Sequence, residues 1–396
     1  MAKQGKSYKR IVAKFGTNLL TAGTDRIDTN VLSVIVRQVA QLHKEGKEII
    51  LVSSGAVASG RQMLTLARDK KAVPKRQGTK DVATRFKLIA DEKDVPTRQV
   101  AAAMGQHVLM NYYTKLFRQH NIFTAQALLT KLDLANRVGY LNARNTLLAL
   151  LEAEVVPIIN ENDVVATDEL EGARFGDNDN LSGMVANLVD ADLLVIMSDV
   201  AGLYTADPVI DTNAKLIPVV KQIDKSIEKM AGGTRGRGTG GMTTKIQAAK
   251  LATASGTAVV IANGSEPDLL PRLVNGESIG TMFLPATDKI ESRKRWILSG
   301  LSTKGKLIVD GGAAAALSKG NKSLLPAGIR GAEGSFKRGD AVDITTESGE
   351  RIACGISNYS AADIEKIKGA RSDKIEGLLG HGYGDEVVHR DNIVVL

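Results

Sequence analysis

Residues 155–182 read VVPIINENDVVATDELEGARFGDNDNLS, and this stretch decides the fold. It opens with the apolar run Val155–Ile159, and a strand that is apolar on both faces is typical of a buried parallel sheet. Polar residues follow at 160–163 and again at 176–180, just before a segment with helical periodicity. Because ligands of open α/β sheets bind beyond the carboxyl ends of the strands, these two polar clusters predict a binding site at that edge.

The two clusters contain amides and carboxylates that suit several ligands. Asparagine amides can donate to a carboxylate and accept from an ammonium group, and carboxylates can hold Mg²⁺ or orient lysines. Either cluster alone is also typical of a polar turn or a helix N-cap. Two such clusters within one connection favour the binding site over the simpler interpretation.

Apolar strands and helical segments alternate on both sides of this stretch. The alternation predicts an α/β fold with a mainly parallel sheet sandwiched by helices. Strands are predicted within 10–20 and at 48–52, 125–130, 155–159, 192–197 and 258–262, and helices at 29–46, 99–120, 136–153 and 246–255. From residue 305 onward, short strands at 306–309, 341–345, 351–357 and 393–396, separated by Gly and Asp turns, predict a small β-rich domain. We therefore expect an α/β domain over 1–290, a linker over 291–304 and a β-rich domain over 305–396.

Composition limits the class of protein. The 396 residues include a single cysteine, Cys354, so no intrachain disulfide forms, and a reducing compartment is expected. The sequence shows no signal-peptide core at its start and no apolar run long enough to span a bilayer, so we expect a soluble, cytoplasmic protein. Most of the net charge of +8 lies in the charged segment Arg61–Arg98, whereas 304–396 carries equal numbers of acidic and basic residues. This distribution argues against a generally cationic nucleic-acid surface.

Three further places suit phosphate groups. Lys14 ends a strand beside a glycine turn, small residues at 53–60 form a strand-to-helix corner, and 231–245 reads AGGTRGRGTGGMTTK before a helix. Glycine N–H groups, hydroxyls and a lysine at a helix start form a phosphate cradle. The spacing of Gly236, Gly238 and Gly241 fits a dinucleotide fingerprint, but no predicted strand precedes it. No Walker A pattern occurs, so a kinase here is not of the P-loop class.

Several stretches together resemble the amino acid kinase family, in one order along nearly the whole chain. They are AKFGTNLLT, VSSGAVASG, PIINENDVVAT, FGDNDNLS, SDVAGLYTADP, GTGGMTTKIQAAKLA and ESRKRW. Two later stretches, SLLPAGIRGAEGSFKRGDAVDI and GYGDEVVHRDNIVV, resemble the PUA domain that many such kinases carry. The charged segment Arg61–Arg98 is the one clear departure, because it looks longer than the family's usual connection.

The resemblance implies that the α/β domain is catalytic and transfers a phosphoryl group from ATP, with Mg²⁺, to the γ-carboxylate of L-glutamate. The product would be L-glutamyl 5-phosphate, and the reaction would be the first step of proline biosynthesis. A carboxylate is already ionised at neutral pH and needs no general base, which agrees with motifs that contain no histidine. The resemblance also implies feedback inhibition by proline and a homo-oligomer.

The resemblance also implies individual residue roles. Asp179 would orient the catalytic lysines Lys14 and Lys245. Glutamate would be bound by Asp163, which suits the ammonium group, and by Ser54 and Asn178, which can donate to carboxylates. No residue is assigned as a direct metal ligand, since Mg²⁺ can be held by ATP phosphates and water. The ATP-binding residues would be Lys14, Ser198, Asp199, Thr239, Gly240, Gly241, Met242, Thr243, Thr244 and Lys245.

Two other functions stay open from the sequence. A kinase of the same fold could act on N-acetylglutamate, aspartate, carbamate or a nucleotide. A PUA-like domain could instead bind RNA through a local basic face, for which the candidates are Lys319, Lys322, Arg330, Lys337 and Arg338. The charged segment Arg61–Arg98 could take an acidic partner or a second subunit.

Overall fold

A computed structural model describes residues 8–69, 95–166, 178–232, 241–286, 303–319 and 322–395. The chain divides into two compact units, one comprising 1–134 with 143–287 and the other 135–142 with 288–396. Most of the charged segment (70–94), the predicted linker up to residue 302, part of the second polar cluster (176–177) and the ATP-site candidates Thr239 and Gly240 lie outside the described residues.

The first unit contains an eight-stranded sheet in the order β3-β4-β2-β1-β5-β7-β8-β6. All neighbouring strands are parallel except β7 and β8, so the predicted mainly parallel fold is confirmed. The apolar runs that predicted strands are almost fully buried in β1, β2, β4, β5 and β7, because helices cover both faces of such a sheet. The strands are β1 Arg10–Phe15, β2 Glu48–Ser53, β3 Thr124–Leu129, β4 Val156–Glu161, β5 Leu193–Ser198, β6 Val219–Val220, β7 Ala258–Asn263 and β8 Thr281–Phe283.

The helices of this part of the chain follow the predicted alternation. In chain order up to residue 286 they are α1 Thr17–Leu20, α2 Thr29–Lys44, α3 Ala56–Asp69, α4 Val95–Arg118, α5 Lys131–Ala135, α6 Arg137–Glu152, α7 Asn178–Leu188, α8 Lys225–Gly232, α9 Met242–Ala254 and α10 Leu269–Val274. None of the described helices combines the length and the apolarity needed to cross a membrane.

Two boundaries differ from the predicted ones in ways that matter for the site. Strand β4 continues past its apolar run, so Asn160 sits within the sheet opposite Leu128 of β3. Helix α9 begins at Met242, four residues before the predicted start at Ile246, which places Lys245 in the first turn. Two threonines and a lysine weaken the apolar periodicity there, so the periodic pattern revealed only the later turns.

The second unit contains a five-stranded sheet in the order β10-β9-β11-β12-β13. Its pairs are antiparallel except β9 with β11. The four predicted strands are present, and Gly-containing β10 was missed because IRGAEG lacks an alternating apolar pattern. The elements are β9 Gly305–Val309, α11 Gly311–Ser318, β10 Ile329–Gly334, β11 Ala341–Thr346, β12 Arg351–Ile356, α12 Ala361–Ile367, α13 Ile375–Leu379 and β13 Ile393–Val395.

Helices α3 and α4 cross in backbone contact through a pair of glycines. A Cβ on Gly60 would lie 1.8 Å from the carbonyl oxygen of Ala101, and one on Gly105 would lie 1.9 Å from that of Ala56. No side chain fits at either position without moving a helix. The crossing fixes α3, which starts just after Ser54, against α4.

We expect Gly60→Ala to destabilise the chain by about 1–3 kcal/mol, because the added methyl group overpacks a backbone contact. The free energy of unfolding in urea measures the effect. Gly377→Ala is the matched control, because a Cβ there meets nothing within 4 Å and the residue lies in a helix. Equal stability of the two variants would contradict this account of the crossing.

Candidate active site

The carboxyl ends of β4, β2, β1 and β5 meet at one edge of the sheet, because these strands are parallel neighbours. Lys14 lies near the end of β1, Ser54 follows β2, and Ser198 ends β5. Asn160 lies near the end of β4. The edge that the sequence predicted for a ligand therefore carries polar side chains from four adjacent strands.

A buried carboxylate joins two lysines at this edge. Asp179 forms an ion pair through Oδ1 with Lys14 Nζ, and its Oδ2 lies 3.2 Å from Lys245 Nζ. Thr244 Oγ1 donates a 2.7 Å hydrogen bond to the same Oδ2. Asp179 is 1% exposed and each lysine is 5% exposed. The structure thus brings together the three residues that the resemblance named as catalytic.

The charges of this cluster are fixed by their neighbours. Burial alone would raise the pKa of Asp179, but the attraction of Lys14 and Lys245, with hydrogen bonds from Lys14 and Thr244, lowers that pKa to about 2. Asp179 is therefore ionised at any physiological pH. With both lysines charged, the cluster carries one positive charge in excess, placed where little water reaches it.

Close packing of α7 on α9 brings Asp179 within reach of Lys245. A Cβ on Gly183 would lie 2.9 Å from the carbonyl oxygen of Ala248, so the two helices approach more closely than a side chain at 183 permits. Gly183 lies one turn after Asp179, and Ala248 lies one turn after Lys245. The small residue therefore sets the separation of the ion pair.

The start of α9 has features that suit an anion. Gly241 precedes the helix in an extended conformation and, as a glycine, has no side chain with which to cap it. The first N–H groups of an uncapped helix attract negative charge. Thr243 and Thr244 supply hydroxyl groups in the first turn, although Thr243 Oγ1 donates to Ala231 O at 3.2 Å in this state.

Ser198 and Asp199 lie at the end of β5 and form a small polar network. Asp199 accepts from Ser198 Oγ at 2.9 Å and from Asn18 Nδ2 at 3.1 Å. Burial raises the pKa of Asp199, but these two hydrogen bonds and the charge of Lys245 outweigh it, so the pKa is lowered. Sequence reasoning missed Asn18, because one asparagine in a short helix carries no local signal.

A chain of buried amides occupies the other side of the edge. Asn178 Nδ2 donates to Ser54 Oγ at 3.0 Å and to Asn160 Oδ1 at 3.1 Å. Asn160 Nδ2 donates in turn to Gln106 Oε1 of α4 at 2.9 Å. Sequence reasoning placed Asn160 in a polar cluster without giving it a role, and it missed Gln106, whose contact spans distant parts of the chain.

In this structure the amide of Asn178 is engaged differently from the role expected of it. Asn178 was expected to donate to a substrate carboxylate, but both hydrogens of its amide group are already donated. Its Oδ1 is buried and has no hydrogen-bond partner among the described residues. The atom of Asn178 that is left without a partner is therefore an acceptor, whereas the Ser54 hydroxyl keeps its own hydrogen to donate.

Asp163 lies half-buried in the turn after β4. Burial raises its pKa to about 6, and the nearby charge of Arg98 offsets only part of that effect. A carboxylate with this pKa readily changes charge near neutral pH. It is suited to a cationic group that adds to the partial compensation by Arg98.

The described residues contain no cluster of three or more side chains arranged to hold a metal ion. Asp179 has both oxygens engaged by lysines, which leaves it unsuited to bind a cation. A Mg²⁺ ion at this site would have to be held chiefly by the phosphates of a nucleotide and by water.

The parallel sheet, the two lysines on one carboxylate and the uncapped start of α9 define a phosphoryl-transfer enzyme outside the P-loop class. Residues 9–263 match the family model described as "Amino acid kinase family", and residues 305–379 match "PUA domain". A relative named "Glutamate 5-kinase" from Dehalococcoides mccartyi (strain CBDB1) is 50% identical and covers 98% of this chain and 99% of its own. Another of that name from Herpetosiphon aurantiacus is 48% identical and covers 98% of each chain. The chain belongs to the amino acid kinase family and, within it, to the glutamate 5-kinases.

We expect Asp179→Asn to destabilise the chain by about 3–5 kcal/mol, because a neutral amide leaves two buried lysines without a counter-charge. Because the pKa is lowered, Asp179 contributes its full stabilisation above its ordinary pKa of 3.8 and loses it as pH falls through about 2. The stability difference between wild type and variant, measured by urea unfolding, should therefore not change with pH near neutrality.

The matched control is Asp268→Asn, which removes an exposed ion pair with Arg37. It should cost less than about 1 kcal/mol. Equal effects of the two substitutions would mean that Asp179 does not hold the lysines together.

Proposed function

We propose that this chain transfers the γ-phosphoryl group of ATP to the γ-carboxylate of L-glutamate and forms L-glutamyl 5-phosphate. This reaction is the first step of proline biosynthesis. Membership of the glutamate 5-kinases supports the choice of substrate. The single structural observation that carries the proposal is the buried cluster of Lys14, Asp179 and Lys245. It holds excess positive charge, and the reaction must bring two anions together.

The chemistry asks for electrostatics and positioning, and needs no proton abstraction. The attacking carboxylate has a reference pKa of about 4.3 and is ionised at neutral pH. Phosphoryl transfer then depends on alignment and on stabilising the charge of the transferring group. In the proposal, Lys14 and Lys245 contact that group and Asp179 holds them in place. The five histidines of the chain lie outside this cluster, at 43, 107, 120, 381 and 389.

The nucleotide would bind along the ends of β1 and β5 and at the start of α9. Ser198, Asp199 and the segment Gly241–Lys245 would line this side, together with Thr239 and Gly240. The N–H groups at the start of α9 would receive the phosphates. Mg²⁺ would arrive with the ATP phosphates, and the lysines would supply the remaining positive charge.

Glutamate would bind on the amide side of the same edge. Its ammonium group needs acceptors, and Asp163 and the free Oδ1 of Asn178 supply them. A carboxylate needs donors, and the Ser54 hydroxyl supplies one. This assignment keeps all three predicted substrate residues but reverses the direction of the hydrogen bond at Asn178.

Further parts of the proposal rest on the family alone. We infer inhibition by proline at a site overlapping that of glutamate, a homo-oligomeric state and a cytoplasmic location. RNA binding by the second unit is not adopted. Arg330 lies 3.1 Å from Asp310, and the guanidinium of Arg338 stacks 3.9 Å from the ring centre of Tyr383, so two of the five basic candidates are already engaged. We assign no partner to the charged segment Arg61–Arg98.

An ATP- and Mg²⁺-dependent hydroxamate assay tests the proposed reaction, since hydroxylamine traps the acyl phosphate. We expect turnover with L-glutamate and little with N-acetylglutamate, aspartate, carbamate or a nucleotide. Lys14→Ala and Lys245→Ala should each lower kcat by at least about 100-fold, because each removes a donor aimed at the developing charge. The KM for glutamate should change far less.

Lys250→Ala is the control, because that lysine forms an exposed ion pair with Glu228, away from the cluster. Near-normal kcat in both site variants would remove the proposed roles of the lysines. Turnover of another acid in preference to glutamate would remove the proposed substrate.

The pKa of Asp163 predicts how glutamate binding varies with pH. The carboxylate must be ionised to attract the ammonium group, so KM for glutamate should rise about tenfold for each pH unit below about 6. KM for ATP should vary much less. Asp163→Asn should raise KM for glutamate at neutral pH and abolish this pH dependence. An unchanged pH profile in the variant would show that Asp163 does not receive the ammonium group.

A further inference from the structure

The amide chain beside the sheet edge has a direction that is set by the backbone. The main-chain N–H of Glu161 donates to Asn160 Oδ1 at 2.9 Å. A backbone N–H can only donate, so the oxygen of the Asn160 amide must face it. Asn160 is 2% exposed, and a reversed amide would set two donors against each other where no water can relieve them.

The hydrogen bond from the Glu161 N–H to Asn160 also fixes the orientation of the other two amides. With its oxygen towards Glu161, Asn160 must present its amino group to Gln106, which accepts through Oε1 at 2.9 Å. The same oxygen of Asn160 accepts from Asn178 Nδ2 at 3.1 Å, so Asn178 must present its amino group on that side. Each amide in the chain therefore has one favourable orientation.

The direction of the hydrogen bonds determines which polar atoms of Asn178 and Ser54 are left over for a ligand. An amide amino group has two hydrogens, and those of Asn178 go to Asn160 and to Ser54 Oγ. The oxygen of Asn178 is left buried without a partner among the residues that the structure describes. Because Ser54 Oγ accepts from Asn178, its own hydrogen is free to be donated elsewhere.

We propose that Asn160 and Gln106 are positioning residues that set the hydrogen-bond polarity of the glutamate site. Through them, Asn178 presents an acceptor and no donor, which suits the substrate ammonium group, and Ser54 keeps its hydroxyl hydrogen, which suits a carboxylate. The inference rests on the proposed function for the identity of the substrate. Asn160 and Gln106 would not contact the substrate. They would nevertheless decide whether the site prefers an ammonium group or a hydroxyl group at the substrate Cα.

Paired substitutions in the full-length chain test this polarity. Asn160→Leu removes the acceptor and frees the Asn178 amide to turn, whereas Asn160→Asp keeps an acceptor for both Glu161 N–H and Asn178. Gln106→Leu removes the acceptor for Asn160, whereas Gln106→Glu keeps one. Asn111→Leu makes the same kind of change at an exposed position of α4 and controls for substitution on that helix.

The measurements are kcat and KM for L-glutamate, for L-2-hydroxyglutarate and for ATP. We expect Asn160→Leu to raise KM for glutamate at least about tenfold, because the loss of one buried hydrogen bond changes affinity by about that factor. KM for ATP should stay within about twofold of the wild-type value. The preference for glutamate over 2-hydroxyglutarate should fall by a similar factor. Gln106→Leu should show the same pattern with a smaller change, and the Asp and Glu variants should recover most of the preference.

Each outcome separates the inference from the proposed function. If the wild-type protein does not turn over glutamate, the proposed function is wrong and so is the assignment of glutamate as the ligand. Wild-type turnover with an unchanged preference in both leucine variants overturns the positioning role alone, as does a loss confined to kcat. If Asn160→Leu fails to fold, as judged by thermal unfolding, the half-buried Gln106 pair decides the question by the same criteria.

Discussion

One carboxylate shared by two buried lysines is the interaction on which the rest of the site depends. Removing three charges from water is costly unless they are paired and hydrogen-bonded. Asp179 meets that requirement through Lys14, Lys245 and Thr244. The arrangement holds a net positive charge in position before any ligand binds. Such preorganised charge stabilises a transferring phosphoryl group more effectively than mobile groups in water do.

The fold can be understood as the means of holding that cluster. Lys14 comes from β1, which lies between β2 and β5, so the backbone carrying it is fixed on both sides. Lys245 comes from the first turn of α9, and Asp179 comes from the first turn of α7. The glycine at 183 lets those two helices meet closely enough for the ion pair to form. The charged side chains therefore come together for two reasons. Strand pairing holds Lys14 in place, and the close contact of α7 with α9 brings Asp179 to Lys245.

The sequence predicted the strands of the sheet well, since apolar runs such as Ile49–Val52 and Leu193–Met197 can hardly be anything but buried strands. It did not predict the pairing of Lys14 with Asp179 from spacing, and only the family resemblance supplied that. Asn18 and Gln106 were missed for the same physical reason. Each acts through one side-chain contact across a long sequence separation, and such contacts leave no periodic pattern in the chain.

The two sides of the edge solve different recognition problems by different physical means. The lysine cluster acts through net charge, whereas the amide chain acts through the direction of its dipoles. That direction begins at the N–H of Glu161, a group that does not titrate, so it stays the same at any pH where the chain is folded. Asp163 is different, because burial raises its pKa to about 6. We therefore expect Asp163 to make ammonium recognition depend on pH, while the orientation of the Asn178 amide stays fixed.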